Sequence, residues 1–395
     1  MTQHPREGKP RVLTVIGTRP EAIKMAPVVH QLAIDGRITA ALCVTAQHRE
    51  MLDQVLAIFD LQPEFDLNLM QAGQDLFDLA GRLLVGLRQV LDEFQPDLVL
   101  VHGDTSTTLM GALSAYYRKI AVGHVEAGLR TDDLYSPWPE EGNRRVVGRL
   151  ATTHFAPTLR AARNLEAEGI PTRSIVVTGN TVIDALQLIN RRIDYSEKLS
   201  GQLRSQVATV VGFDPVTEQY TLVTGHRRES FGQGFVNICD GISLLADRYP
   251  AHRFVYPVHL NPNVKEPVTQ RLGDRTNVSL IEPQDYLPFV YLLRHAHSVL
   301  TDSGGIQEEA PSLGKPVVVM RDTTERPEAV EAGTAVLAGA NSKRIFDEVC
   351  QLIDDEDHYE QMSKAVNPFG DGESSSLIVE HIVSVTSAEL QRVAK

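Results

Sequence analysis

Short, apolar, β-branched runs alternate with helical patterns along the whole chain, and this alternation restricts the fold more than any other feature. In the first half the runs span 12–16, 41–45, 97–101, 120–125, 153–156 and 174–177; in the second, 220–224, 253–257, 277–281, 298–301, 316–320 and 334–337. Runs this short and this continuously apolar suit parallel strands covered on both faces. Strands alternating with helices imply right-handed βαβ units and doubly wound sheets. At 395 residues the chain is too long for one ordinary core. The two sets of six therefore predict an α/β class of two facing, Rossmann-like, doubly wound parallel-sheet domains. Open α/β sheets bind ligands outside the carboxyl ends of their strands, so the active site is expected in the cleft between them. The boundary is expected near 179–184, giving domains 1–181 and 182–373. The polar stretch 191–218 carries no strand pattern and is expected to be a helix and loop. The last helical pattern, 374–395, should pack back on the first domain through Leu377, Ile378, Ile382, Val383 and Leu390.

A formal net charge of −13 argues against nucleic acid or an anionic membrane as partner, because both need a basic patch. No apolar run reaches the ~18 residues that span a bilayer. The polar start carries no apolar signal region, so the expectation is a cytoplasmic protein. Cys43, Cys239 and Cys350 are far apart, match no metal or disulfide spacing and sit among apolar residues, which predicts buried structural thiols.

The chemistry gathers where strands are expected to end. Gly17-Thr18-Arg19-Pro20-Glu21-Ala22-Ile23-Lys24 has capping-box spacing between Thr18 and Glu21, with Pro20 in the first turn of a helix. A helix start beside a strand end favours anions, and Arg19 and Lys24 reinforce that. The dinucleotide fingerprint G-x-G-x-x-G is missing there, which lowers the case for NAD. Asp104 follows His102-Gly103, Glu126 follows His124-Val125, and Glu140 and Glu141 follow Pro137-Trp138-Pro139. Carboxylates converging on a cleft repel one another, which can divide acid from base. The plainer alternatives are a helix cap for Asp104 and first-turn dipole pairing for Glu140 and Glu141. Glu126, inside an apolar strand, is hard to explain as unpaired structure.

In the second half, Gly225-His226-Arg227-Arg228 follows the first strand, a phosphate site, a proton shuttle or a solvated basic turn. Gln284 and Phe289, in the Glu282–Phe289 string, suit hydrogen bonding and stacking with a base, although a structural helix start is the commoner meaning of such a string. Most specific is Asp302-Ser303-Gly304-Gly305-Ile306-Gln307-Glu308-Glu309, a strand-to-helix turn whose N–H groups suit a diphosphate. Glu309 is placed to accept ribose hydroxyls, and Arg326 is a second diphosphate cation.

Together the strings GTRPEAIKMAPVV, TAQHREMLDQVL, HGDTSTT, HVEAGLRT, PWPEEGNRR, TGNTVIDAL, YPVHLNPNV, EPQDYLPF and TDSGGIQEEAPSLGKPVVVMRDTTERPEA resemble the non-hydrolysing UDP-N-acetylglucosamine 2-epimerases over nearly the whole chain. The resemblance implies a glycosyltransferase-B-like architecture, a homodimer, and no nicotinamide cofactor or obligatory metal. It implies first-domain site residues Arg19, Lys24, Asp104, Glu126 and Glu140, with nucleotide and diphosphate contacts from His226, Gln284, Phe289, Ser303, Gly304, Gly305, Glu309 and Arg326. Catalytic roles would fall to Asp104, Glu126, Glu140, His226 and Lys24. Gln47 and His48 match the place where some members bind an activating second UDP-N-acetylglucosamine, although an arginine of that site is replaced by Gly73.

The C2 hydrogen of UDP-N-acetylglucosamine is not flanked by a ketone, so direct enolisation is closed. Loss of UDP to 2-acetamidoglucal and its re-addition, giving UDP-N-acetylmannosamine, is the route expected, with Asp104 favoured as base and Glu140 as acid. The alternatives are an epimerase of a related UDP-2-acetamido or 2,3-diacetamido sugar, a hydrolysing epimerase, a UDP-sugar transferase, and a nucleotide-sugar sensor.

Overall fold

The structure, a computed structural model, describes residues 8–45, 49–69 and 73–393. The chain divides into two compact units, Met1–Ala185 with Phe369–Lys395, and Leu186–Pro368. In the first unit the order is β1 (Arg11–Ile16), α1 (Arg19–Ile34), β2 (Thr39–Val44), α2 (Arg49–Ile58), β3 (Phe65–Asp66), α3 (Leu76–Phe94), β4 (Leu98–His102), α4 (Ser106–Tyr117), β5 (Ala121–Val125), α5 (Glu140–Leu150), β6 (Thr153–Ala156), α6 (Leu159–Ala167) and β7 (Ile175–Val177). Helix α7 (Thr181–Asp194) then passes from one unit into the other.

The second unit continues with α8 (Glu197–Val211), β8 (Tyr220–Thr224), α9 (Gln233–Arg248), β9 (Arg253–Pro257), α10 (Pro262–Leu272), β10 (Val278–Ile281), α11 (Tyr286–His295), β11 (Ser298–Thr301), α12 (Gly304–Glu309), β12 (Val317–Val319), α13 (Pro327–Glu331), β13 (Ala335–Leu337), α14 (Ser342–Asp354) and α15 (Glu356–Ser363). Helix α16 (Ser374–Val393) belongs to the first unit again. There Ser375 donates to Asp184 through both its N–H and its hydroxyl, each at 2.7 Å, and the His381 ring meets Phe155 edge-on.

Both sheets are parallel, as the short apolar runs require. Among the described residues the first has seven strands in the order β3-β2-β1-β4-β5-β6-β7, and the second has six in the order β10-β9-β8-β11-β12-β13. Six strands were expected in the first; β3 is a two-residue edge strand, Phe65–Asp66, too short to leave an apolar run. The stretch after 191 holds the end of α7 and the whole of α8, a second helix in place of the single one expected. Strand order reverses between β1 and β4 in the first sheet and between β8 and β11 in the second, the topological switch points where such sheets bind ligands.

Each sheet is covered by its own helices. Leu79, Leu83, Leu87 and Leu91 of α3 recur at helical spacing and pack on Val99, Val101 and Val122. Phe235, Ile238, Ile242 and Leu245 of α9 do the same against Val223, Phe254 and Leu300. Fully burying one such side chain contributes roughly 1.5–3 kcal/mol. Cys43 and Cys239 lie in these cores, and burial pushes both thiols up to about 12. Cys350 of α14 departs from the expectation by being only partly buried, packed at the margin of the second core. Among the described residues no helix is long and apolar enough to cross a membrane.

Candidate functional site

At the first switch point the chain turns from β1 into α1 through Gly17 and Thr18. Thr18 caps the helix and Glu21 completes the reciprocal capping box, as the spacing predicts. The Glu21 carboxylate does more than cap. One oxygen accepts the N–H groups of Gly17 (2.8 Å) and Thr18 (2.7 Å); the other accepts the hydroxyls of Thr105 (2.6 Å) and Thr108 (3.1 Å) beyond β4. Burial raises its pKa against those hydrogen bonds. The two turns flanking the switch point are thereby locked together. A Cβ on Gly17 would lie 2.2 Å from the Thr107 hydroxyl, so only glycine allows this approach.

Asp104 leaves β4 in that second turn. It is not the cap of α4; Thr105 takes that place, accepting the Thr108 N–H. Asp104 instead meets Arg144 of α5 in a two-pronged pair, 2.9 Å to Nε and 2.7 Å to Nη2, while its carbonyl accepts from the Asn143 amide at 2.7 Å. Arg144 and Asn143 lie one turn along the helix that begins at Glu140. Glu141, fully buried, accepts from Arg144 and Arg145 and is the structural member of the acidic pair. The side chain of Glu140, partly exposed at the helix start, makes no hydrogen bond or ion pair among the described residues, and the same holds for that of Arg19 at the start of α1.

Glu126 lies just past β5 rather than within it, with φ +62°, a conformation that disfavours non-glycine residues. Its carboxylate is ion-paired with Lys24 of α1, accepts from Asn180 Nδ2 at 3.1 Å and lies 3.7 Å from His102 Nε2. A Cβ built on Gly103 would stand 3.9 Å from Glu126 Oε1, so the Asp104 turn borders this carboxylate. His102 is buried, and burial, opposed by Glu126, pulls its ring down to about 4. Lys24 and Glu126 are thus brought together, and Asp104 is tied to α5.

At the second switch point β8 runs into Gly225-His226 and β11 into Asp302-Ser303. His226, half exposed, lies 3.2 Å from the carboxylate of Asp302 and stacks on His259 at 5.9 Å. Asp302 is fully buried and accepts the N–H groups of His226 (2.7 Å) and Arg227 (2.8 Å). Burial opposes its ionisation, but the His226 side chain and those amides outweigh it and hold the carboxyl below its usual range. Ser303 is the cap of α12, and Gly305 borders Glu309, whose Oε1 would be 3.5 Å from a Cβ there. A Cβ on Gly304 would stand 3.9 Å from the Arg326 guanidinium and 4.0 Å from that of Arg227. Arg326 is itself paired with buried Glu308. The turn, Arg227 and Arg326 therefore form one cationic corner.

Gln284 and Phe289 occupy the loop after β10 and the first turn of α11. The Gln284 amide donates to the Glu282 carbonyl at 2.7 Å, which leaves its oxygen for another donor. Gln47 and His48 lie outside the described residues. Among the described residues no group of three or more His, Cys, Asp or Glu side chains is placed to hold a metal ion. Composition and spacing did not single out Asn180, Arg144, Asp302 or Glu308. All are second partners of residues that were singled out, and a string of letters gives no sign of who pairs with whom.

Comparison with known proteins agrees with this picture. The UDP-N-acetylglucosamine 2-epimerase family model matches residues 30–383. The UDP-N-acetylglucosamine 2-epimerase of Salmonella typhimurium is 58% identical over 374 residues, covering 95% of this protein and 98% of that one. The Escherichia coli K12 enzyme of the same name is also 58% identical, covering 94% and 97%. The crystal structure of the Neisseria meningitidis epimerase bound to UDP-GlcNAc superposes with a TM-score of 0.85 at 51% identity, covering 95% of this chain and 100% of that one. Two parallel α/β sheets with these turns at their switch points, and likeness of this extent, lead to one conclusion: the chain is an isomerase belonging to the UDP-N-acetylglucosamine 2-epimerase family.

Proposed function

We propose that the protein interconverts UDP-N-acetylglucosamine and UDP-N-acetylmannosamine by eliminating UDP and adding it back. The observation that carries the reading is the division of chemistry between the two switch points. Carboxylates Asp104 and Glu126 stand at the first, and the Ser303-Gly304-Gly305 turn with Arg227, Arg326 and His226 stands at the second. A UDP diphosphate suits the second set: backbone N–H groups and cations stabilise the charge that grows on a leaving diphosphate. Gln284, Phe289 and Glu309 would hold its uridine.

In the first half-reaction a carboxylate removes the C2 hydrogen as a proton. The C–H pair becomes the C1–C2 double bond, and the C1–O bond breaks with its electrons going to UDP. The product is 2-acetamidoglucal. In the second half-reaction an acid protonates C2 from the opposite face, and a diphosphate oxygen forms the C1–O bond again. Nothing is oxidised overall. Asp104 is the base in this reading, steered by Arg144, and Glu140 the acid on the other face. Lys24, paired with Glu126, stabilises the carboxylate beside the reacting carbon and supplies positive charge as UDP leaves.

Incubation with UDP-N-acetylglucosamine should yield UDP-N-acetylmannosamine and an equilibrium mixture of the two. Release of free N-acetylmannosamine with UDP, or turnover only of a 2,3-diacetamido uronate, would replace this reading. A homodimer is part of the same proposal. It is supported by exposed Phe77 and Val85 on α3 and Tyr116 and Tyr117 on α4, the helix that packs against α3. Light scattering that gives the mass of a single chain at micromolar concentration would overturn it.

A further inference from the structure

Glu126 is held in an unfavourable backbone conformation, so something must fix its carboxylate. Lys24 supplies charge, and His102 approaches to 3.7 Å. The third contact is Asn180, which is 2% exposed and comes just before α7. Its Oδ1 accepts the Val182 N–H at 3.1 Å, its own N–H donates to the Phe369 carbonyl at 2.7 Å, and its Nδ2 donates to Glu126 at 3.1 Å. The preceding Gly179 has φ +83°, and a Cβ there would meet Ser374 Oγ at 2.8 Å and the Phe369 carbonyl at 3.2 Å. The outgoing chain is therefore wedged against the returning chain, and that wedge fixes the rotamer of Asn180.

The chemistry of the residue is telling. Aspartate would serve as well at the start of a helix, where a side-chain oxygen accepts an amide and a negative charge suits the dipole. Only the amide can accept from Val182 with one atom and donate to a carboxylate with the other. We infer that Asn180 is a positioning residue that fixes the Glu126 carboxylate, and that it ties this carboxylate to the two segments through which the chain leaves and re-enters its first unit. The inference rests on the proposed function in giving Glu126 a part in the chemistry.

The test is a double-mutant cycle between N180D and E126Q, read by melting temperature and by kcat and KM for UDP-N-acetylglucosamine. N180D keeps the acceptor for Val182 but sets a second carboxylate against Glu126. It should lower both the melting temperature and kcat, the latter about tenfold or more, the worth of a hydrogen bond to a charged group, with KM changed far less. E126Q reverses the polarity of the pair, so the double variant should melt like E126Q alone, and N180D should cost no further kcat in that background. N180S, which keeps an acceptor and adds no charge, should fold and still lose kcat more than it gains KM. The inference is overturned if N180D and N180S turn over like the wild type, or if the melting loss of N180D is undiminished beside E126Q. Should the wild type turn over no UDP-sugar, the proposed function fails, while the melting cycle still decides whether Asn180 holds Glu126.

Discussion

The two sheets share a topology and a switch point of the kind that binds ligands, but they arm it differently. In the first unit the catalytic candidate Asp104 is the more exposed member of its pair, 24% against 15% for Arg144, so a cation braces a carboxylate, while Lys24 at 17% stands over Glu126 at 9%. In the second, both pairs at the switch point keep the carboxylate inside. His226 is 44% exposed over fully buried Asp302, and Arg326 is 13% exposed over Glu308 at 2%, so buried carboxylates brace basic side chains. Under the proposed function, one fold therefore presents acid–base groups at one switch point and an anion receiver at the other. Topology sets where the site falls, and the turn residues set what it does.

Predictions can break or sharpen that contrast. The largest effect should be common to both units. Burial holds His102 of the first, and His252 and His297 of the second, at about 4, against an ordinary 6.5. The folded state keeps them neutral while the unfolded chain takes up protons below pH 6.5. Their stability contribution is thus complete above that pH and is lost as the pH falls toward 4, at up to about 1.4 kcal/mol per histidine per pH unit. Near-ultraviolet circular dichroism should show cooperative loss of the fold in that window; a signal unchanged at pH 4 would contradict it.

Asp104→Asn comes next and should cut kcat at least ~100-fold, as for a positioned acid–base group, with the melting temperature little altered. Near-normal turnover would remove Asp104 from the chemistry. A glycine pair follows. Gly17→Ala meets a side chain at 2.2 Å and should destabilise the protein by about 1–3 kcal/mol in urea titrations, whereas Gly305→Ala has nothing nearer than 3.5 Å and should cost less than about 0.5 kcal/mol. What Gly305→Ala should lose is affinity for UDP. Arg326→Ala is expected to weaken UDP binding about tenfold by calorimetry and to lower kcat less than Asp104→Asn does, because Arg326 meets the diphosphate both when bound and as it leaves.

Most of the fold was legible because continuously apolar runs announce buried parallel strands. β3 was not, since two residues at a sheet edge need no apolar run. The cap of α1 could be read from Thr18 and Glu21, because capping is local. That the same Glu21 also reaches Thr105 and Thr108 could not, because that contact spans more than eighty residues of chain. Glu126 illustrates both sides. Its buried carboxylate demanded a partner, but choosing Lys24, Asn180 and His102 required the folded chain. Asp104 was open to two explanations, and only the placement of Arg144 and the Thr105 cap separated them.

The central claim is that one proton at C2 is removed and returned. Proton NMR of the purified protein with UDP-N-acetylglucosamine in deuterated water tests it most directly. The C2 resonance of UDP-N-acetylmannosamine should be missing as deuterium enters there, with the C1 signal simplified accordingly. A product formed with its C2 hydrogen intact would contradict the account.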